Sequence, residues 1–164
     1  MFPSQRFTIT TYLSPEDVQK KLVAVVEPPP QGIQFQWKRS DKLYRGKIGE
    51  HSFKIAKIIY HRNSFLPQIE GRIKAHGRGS QIEIEMKLHI AAIIFMCVWL
   101  STIGQVALLS LFALFQDDFE PAFLIPLGMV IFGIALPWVG FLPQAKASKD
   151  FLIELFQGTE EHSL

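Results

Sequence analysis

Residues 90–115, IAAIIFMCVWLSTIGQVALLSLFALF, and residues 122–142, AFLIPLGMVIFGIALPWVGFL, decide how this chain is read. Only Gln116-Asp117-Asp118-Phe119-Glu120-Pro121 separates them, and neither contains an Asp, Glu, Lys, Arg or His. A helix rises about 1.5 Å per residue, so about 20 residues cross a hydrocarbon core about 30 Å thick. With 26 and 21 residues, both blocks are long enough. The first block is dominated by Leu, Ile, Val and Phe, which together favour insertion by about 4–8 kcal/mol as an upper bound. A soluble helix that is apolar on every side needs a large protein around it. The rest of a 164-residue chain is too small to wrap two of them. The sequence therefore predicts a transmembrane helical hairpin over residues 90–143, with spans 90–115 and 122–142.

Within the spans, the hydroxyls of Ser101 and Thr102 can bond back to their own helix. Gln105 has no such recourse and is expected to face the second helix. Ser101, Gln105, Gly128 and Gly133 are the candidate intramembrane packing residues, small or polar groups of the kind that hold helices together in lipid. The glycines form no GxxxG pair. Pro137 is expected to kink the second span near its inner end. Trp138 suits an interfacial belt, whereas Trp99 lies deep in its block.

Residues 1–89 hold 15 Lys and Arg against 8 Asp and Glu, while the connection 116–121 holds three acids and no cation. Lys87 and Lys146 flank the hairpin. Cations near span ends stay inside, so both termini are expected to be cytoplasmic. The bilayer is the first partner this implies, and a basic front matches anionic headgroups. No nucleic-acid motif stands out, and nucleic acid is not expected as a partner. The lone Cys97 gives no internal disulfide and no cysteine metal cluster. Residues 1–12 lack the apolar core of a signal peptide, so the first span would itself direct insertion.

Residues 1–89 read as an α+β domain. Arg6–Leu13 is a strand pattern. Ser14-Pro15-Glu16-Asp17 opens a helix, with Ser14 as cap, Pro15 at the first position and acids at the positive end of the dipole. Leu13 and Val18 form a hydrophobic staple. Val18, Leu22, Val25 and Val26 form its apolar face, and Pro28-Pro29-Pro30 stops it. Five strands follow: Ile33–Trp37, Tyr44–Ile48, Ser52–Tyr60, Gln68–Ala75 and Gln81–Ile90. In the last, Ile82, Ile84, Met86, Leu88 and Ile90 face one way and Gln81, Glu83, Glu85, Lys87 and His89 the other. That strand runs almost directly into the first span, so the sheet must sit close to the bilayer. Residues 144–157 read as a separate C-terminal amphipathic helix with Ala147, Phe151, Leu152, Leu155 and Phe156 on its apolar face, packing on the domain. Gly158 would stop it, leaving Thr159–Leu164 frayed. The predicted fold is an antiparallel β-meander with an N-terminal helix, and a helical hairpin inserted before a C-terminal helix.

With the hairpin set aside, this element order resembles a shortened helix-grip domain of the START/polyketide-cyclase kind, in which an antiparallel sheet wraps a long C-terminal helix. A pleckstrin-homology-like sheet is the competing likeness, against which the early helix argues. Tyr60-His61-Arg62-Asn63-Ser64-Phe65-Leu66-Pro67, with Gly71-Arg72-Ile73, resembles uncharacterised small bacterial membrane proteins. That likeness implies a bacterial inner or plasma membrane.

Chemical motifs are sparse. His51, His61, His76 and His89 lack metal-ligand spacing. Gly77-Arg78-Gly79-Ser80 leads into a strand rather than a helix, which favours a hairpin turn over a phosphate cradle. Ser64 has no nucleophile elbow, and Glu83 and Glu85 sit on the wet face of a strand. No catalytic residue, cofactor or metal site is assigned. The candidate interaction surface is Trp37, Arg62, Asn63 and Phe65. Arg62 suits a headgroup or carboxylate, and Phe65 suits either an interface or packing beneath the sheet. The expected function is a membrane-anchored binding module for a lipid, a small apolar molecule or a protein. A cavity lined by Ile82, Ile84 and Met86 would mark the small-molecule case. The alternative is a structural or assembly subunit whose spans pack on another membrane protein or a second copy.

Overall fold

Strand alternation in residues 79–88 sets the inner face of a sheet. The computed structural model describes residues 2–29, 42–58, 65–113 and 121–161. In it β6 (Gly79–Leu88) buries Ser80, Ile82, Ile84, Met86 and Leu88 and turns Gln81, Glu83, Glu85 and Lys87 outward. It lies antiparallel between β5 (Pro67–His76) and β1 (Ser4–Thr11). The His76↔Gly79 pairing leaves a two-residue turn, Gly77-Arg78, with a positive φ of 58° at Gly77 alone. Glycine at that first position is what a type II′ hairpin asks for. Beyond β5 come β4 (Ser52–Lys57), β3 (Tyr44–Ile48) and the short β2 (Val26–Glu27), the last parallel to β3. On the other side of β1 lies β7 (Thr159–Glu161). The fold is thus α+β, with a seven-stranded, mostly antiparallel sheet in the order β2-β3-β4-β5-β6-β1-β7.

Helix α1 (Pro15–Val25) begins as its sequence dictates. Ser14 Oγ accepts the Asp17 N–H at 3.2 Å, Pro15 occupies the first turn, and Val18 is fully buried near Leu13. The Ser14 hydroxyl, and after it Lys20, holds the Asp17 carboxyl below its ordinary pKa. The other end stops at Val25, where Val26 turns into β2 before the prolines are reached. Lys42 closes it by donating to the Val23 and Val26 carbonyls at 2.8 and 2.9 Å, the favoured charge at a helix C-terminus.

Helix α2 (Ile90–Ala113) follows β6 after a single residue, His89. The His89 carbonyl accepts from the Ala92 and Ile93 N–H groups, and its Nδ1 accepts the Ala91 N–H at 3.2 Å. Ile90 therefore belongs to the helix, where it is exposed, and not to the buried face of the strand.

The largest departure from the sequence reading is α3 (Leu124–Phe156). After a 3-10 turn at Pro121–Phe123, the second apolar block and the C-terminal amphipathic segment form one continuous helix of 33 residues. Pro126 falls in its first turn, where a missing N–H costs nothing, while Pro137 and Pro143 lie inside it. The buried stripe is Phe141, Ala145, Ser148, Leu152 and Phe156, and Ala147 is exposed. These residues join Phe7, Ile9, Ile55, Ile69, Ile82 and Met86 in one core, so the lower half of α3 lies against the inner face of the sheet. Thr159–Glu161 is not frayed but pairs with β1, and residues 162–164 lie outside the described residues. The expected strand Ile33–Trp37 lies outside the described residues, and β4 ends at Lys57.

Gln157, rather than Gly158, takes the left-handed position that ends α3, at φ 50° and ψ 39°. The Gly158 N–H then reaches the Ile153 carbonyl at 3.2 Å. Gly158 is required for space: a methyl there would stand 2.4 Å from Ile9 Cγ2. A β-carbon in the left-handed region costs about 1 kcal/mol. Gln157→Gly is therefore expected to raise stability by about 0.5–1 kcal/mol, read as a higher denaturation midpoint in detergent. Gly158→Ala is expected to lower it.

Candidate functional site

Three regions of the molecule have the makings of a working surface: the two long helices, the junction where they meet the sheet, and the outer face of the sheet.

Both α2 and α3 are long and apolar enough to cross a membrane. A core helix of a soluble protein would be mostly buried, yet only 17% and 11% of their most apolar windows are covered by the rest of the chain. Phe95, Val98, Leu109 and Phe112 on α2, and Ile125, Ile131, Phe132 and Val139 on α3, are all exposed. The helices meet where Gly133 receives Trp99: a methyl group on Gly133 would stand 2.4 Å from the indole Cζ3. Gly128 faces open space. Thr102 and Ser110 donate to the carbonyls four residues back, at 3.0 and 2.9 Å.

Gln105 does not face α3. Ala92, Met96, Ala107 and Ser110 are the buried side of α2, and at 100° per residue Gln105 lies nearly opposite their mean direction. It is exposed, as is Ser101, and neither makes a side-chain hydrogen bond among the described residues.

At the junction, Phe65 is half-buried against the core and packs on α3. A methyl on Gly140 would stand 2.9 Å from Phe65 Cβ. Lys57 Nζ donates to Gln144 Oε1 at 3.4 Å, tying β4 to the same helix. Trp37, Arg62 and Asn63, which the sequence groups with Phe65, lie outside the described residues. The inner face of the sheet, where a small apolar ligand would sit, is occupied by the chain itself. Ile82, Met86, Phe141, Leu152 and Phe156 are each fully buried in one cluster. Tyr44 is buried there too, its ring 5.4 Å from that of Phe151, and burial pushes its phenol up while the Ser148 hydroxyl opposes the shift.

The outer face carries a trough that single-strand patterns could not reveal. Register aligns Lys47, Lys54, Glu70, Glu85 and Arg6 in one row across five strands. Two positions away Ser52, Arg72, Glu83 and Thr8 form a second row. Between them runs the backbone of Ile48, Phe53, Gly71, Ile84 and Phe7, with the Ile48, Phe53, Ile84 and Phe7 side chains turned toward the core. The rows wall an open depression of about 960 Å³, which at strand spacing is about 19 Å long. Gly71 keeps its floor thin because the Phe53 ring fills the inner side of that position, 2.1 Å from where a β-carbon would be.

Most of the charges are paired. Lys54 meets Glu70 at 2.8 Å, Arg6 meets Glu85 at 2.6 Å, Lys87 meets Glu85 at 2.7 Å, and Lys74 pairs with Glu83. Lys47 and Arg72 are the wall cations with no ion pair among the described residues. They stand toward the β3–β5 end of the trough, where a carboxylate or phosphate would find two positive partners. No three His, Cys, Asp or Glu side chains come together as a metal site among the described residues.

Compared with known proteins, the chain matches no family model, no curated protein and no solved structure.

Two outcomes follow from this geometry. Gly133→Ala is expected to weaken the hairpin by about 1–3 kcal/mol, the usual cost of overpacking, whereas Gly128→Ala leaves it unchanged; thermal unfolding in detergent separates the two. Hydrogen bonds from Lys87, and secondarily Arg6, hold Glu85 below its ordinary value of 4.5. A folded-state value below the unfolded one stabilises the fold at every pH above the unfolded value, and that contribution is lost as the pH drops through the folded value. Glu85→Gln is therefore expected to cost less than about 1 kcal/mol at neutral pH, and the difference from the parent chain closes as the pH falls below 4.5.

Proposed function

We propose that the chain is an integral membrane protein of two spans, with both termini cytoplasmic, whose sheet domain is a binding module held against the bilayer surface. The observation that carries this reading is the apolar surface that α2 and the upper half of α3 leave exposed around most of their circumference. In water such a surface is a liability far larger than the few hundred Å² that soluble monomers tolerate. In lipid it is the ordinary outside of a span. Lys87 and Lys146 beside the spans, and the acids of residues 116–121 between them, support the orientation.

The module's ligand is best read as a protein carrying an acidic group, received in the trough at Lys47 and Arg72. The filled interior speaks against a small apolar ligand. Arg72 pairs in register with Glu83, seven residues before Ile90. At about 3.3 Å per residue this leaves it up to about 23 Å from the start of the span. An interaction surface at Trp37, Arg62, Asn63 and Phe65 is the competing location, with Phe65 already engaged by Gly140.

Alkaline carbonate extraction followed by affinity capture from native membranes tests both parts. The chain is expected to stay in the membrane pellet, and a captured partner is expected to be lost from Lys47→Glu/Arg72→Glu while Trp37→Ala/Arg62→Ala retains it. Release of the chain by carbonate sinks the membrane reading. Partner loss from the second double variant alone moves the site away from the trough.

A further inference from the structure

We infer that α2 is the dimerisation helix of this protein, and that two copies associate in the membrane through Gln105 of each. The inference rests on the membrane-spanning reading above and deepens it.

Helix α2 has two faces with different occupants. One, marked by Ala92, Met96, Trp99 and Ala107, is covered by α3 of the same chain. The opposite face is Ile94, Val98, Ser101, Gln105, Leu108 and Phe112, all exposed. Their spacing is four, three, four, three and four. That is the heptad seam of two helices packed side by side, repeated over five intervals without a break. The other outward positions of α2 are aliphatic or aromatic, apart from Cys97, from Gly104, and from Thr102, whose hydroxyl is taken up by the Val98 carbonyl. Ser101 and Gln105, consecutive members of the seam, have no such partner among the described residues.

A primary amide in hydrocarbon has two donors and an acceptor with nothing to bond. Three facts favour a second copy of this chain as the group that satisfies it. Copies inserted by the same signal share one orientation, so their α2 helices are parallel and their Gln105 side chains lie at the same depth. An amide is its own complement, donor to acceptor and acceptor to donor, which is what a twofold axis requires of a residue lying on it. Finally, a polar residue at one core position of an otherwise apolar heptad seam is the device that fixes register and number of strands in paired helices. Ser101 adds a hydroxyl one turn away, on the same seam.

The test uses the full chain with Cys97→Ser, carrying single cysteines introduced by Val98→Cys or Leu108→Cys on the seam, or Ile103→Cys or Val106→Cys off it. Native membranes are oxidised, and adduct mass is read on a non-reducing gel. Adducts of twice the chain mass are expected from the seam positions alone. In the Leu108→Cys background, Gln105→Leu is expected to lower the dimer-to-monomer ratio about 3- to 30-fold, the range for one interhelical side-chain hydrogen bond. Gln105→Asn retains most of it. Equal cross-linking on and off the seam, adducts only of other masses, or indifference to Gln105→Leu would each overturn the proposal. Carbonate extraction of the same membranes keeps the two readings apart. A chain that stays in the pellet without seam adducts refutes the dimer alone, and a chain that is released refutes the spans and the dimer with them.

Discussion

A helix longer than a hydrocarbon core is thick organises this molecule. At about 1.5 Å per residue, the 33 residues of α3 extend about 50 Å, which is about 20 Å more than a hydrocarbon core. The excess is not a loose tail. It is the strut against which the sheet closes, with Phe141, Ala145, Leu152 and Phe156 in one buried cluster with side chains from six strands. The most apolar stretch and the core residues lie on one continuous helix. Pro137 and Pro143 withdraw two backbone donors near the transition. The helix persists there because it is packed on both flanks, by Trp99 at Gly133 and by Phe65 at Gly140.

Contacts at the far end of α3 lock it to the sheet. Thr11 donates its hydroxyl to the Phe156 carbonyl at 2.6 Å, supplying an acceptor left open by the last turn with a partner from β1. Lys149 pairs with Glu160 at 2.6 Å and lies 5.3 Å from the centre of the Phe7 ring. After the left-handed turn at Gln157, β7 adds to the free edge of β1, and its three residues leave only a short edge exposed. At the other edge Arg45 and Glu27 pair at 3.0 Å across β3 and β2. The β1 edge is thus closed by chain that belongs to the end of α3, which makes the sheet dependent on the same helix that is long and apolar enough to cross a membrane.

What the sequence discloses is whatever repeats along one element. The period-two pattern of residues 80–88, the Ser14 cap and the Gly77 turn are each written locally, and each stands as read. The misreadings arise where one element changes environment. Lys146, Lys149, Asp150 and Glu154 bring charge back into the chain just after Pro143, which looks like the start of a new helix. No local term distinguishes a proline that ends a helix from one that is held inside it by neighbours. β7 is three residues of Thr and Glu with no apolar alternation, and only pairing with β1 makes it a strand. The trough was illegible for a related reason: the outward residues of each strand are plain, but the register that lines up Lys47 with Arg6 across five strands is a property of the folded sheet.

Gln105 shows the same limit inside the spans. A helix that is apolar on every side has no preferred direction, so its sequence alone does not say which side meets a neighbour. The phase is shown by the contacts α2 makes, Trp99 and Leu100 at Gly133 and the buried Ala92, Met96, Ala107 and Ser110, which assign every other position of α2 a direction. Burial of apolar area cannot choose a partner for the remaining face, because lipid is as good an environment for Leu as another helix is. In a bilayer only groups that lipid leaves unsatisfied could choose, and on that face these would be Ser101 and Gln105, exposed, at heptad spacing and turned away from the buried side of α2.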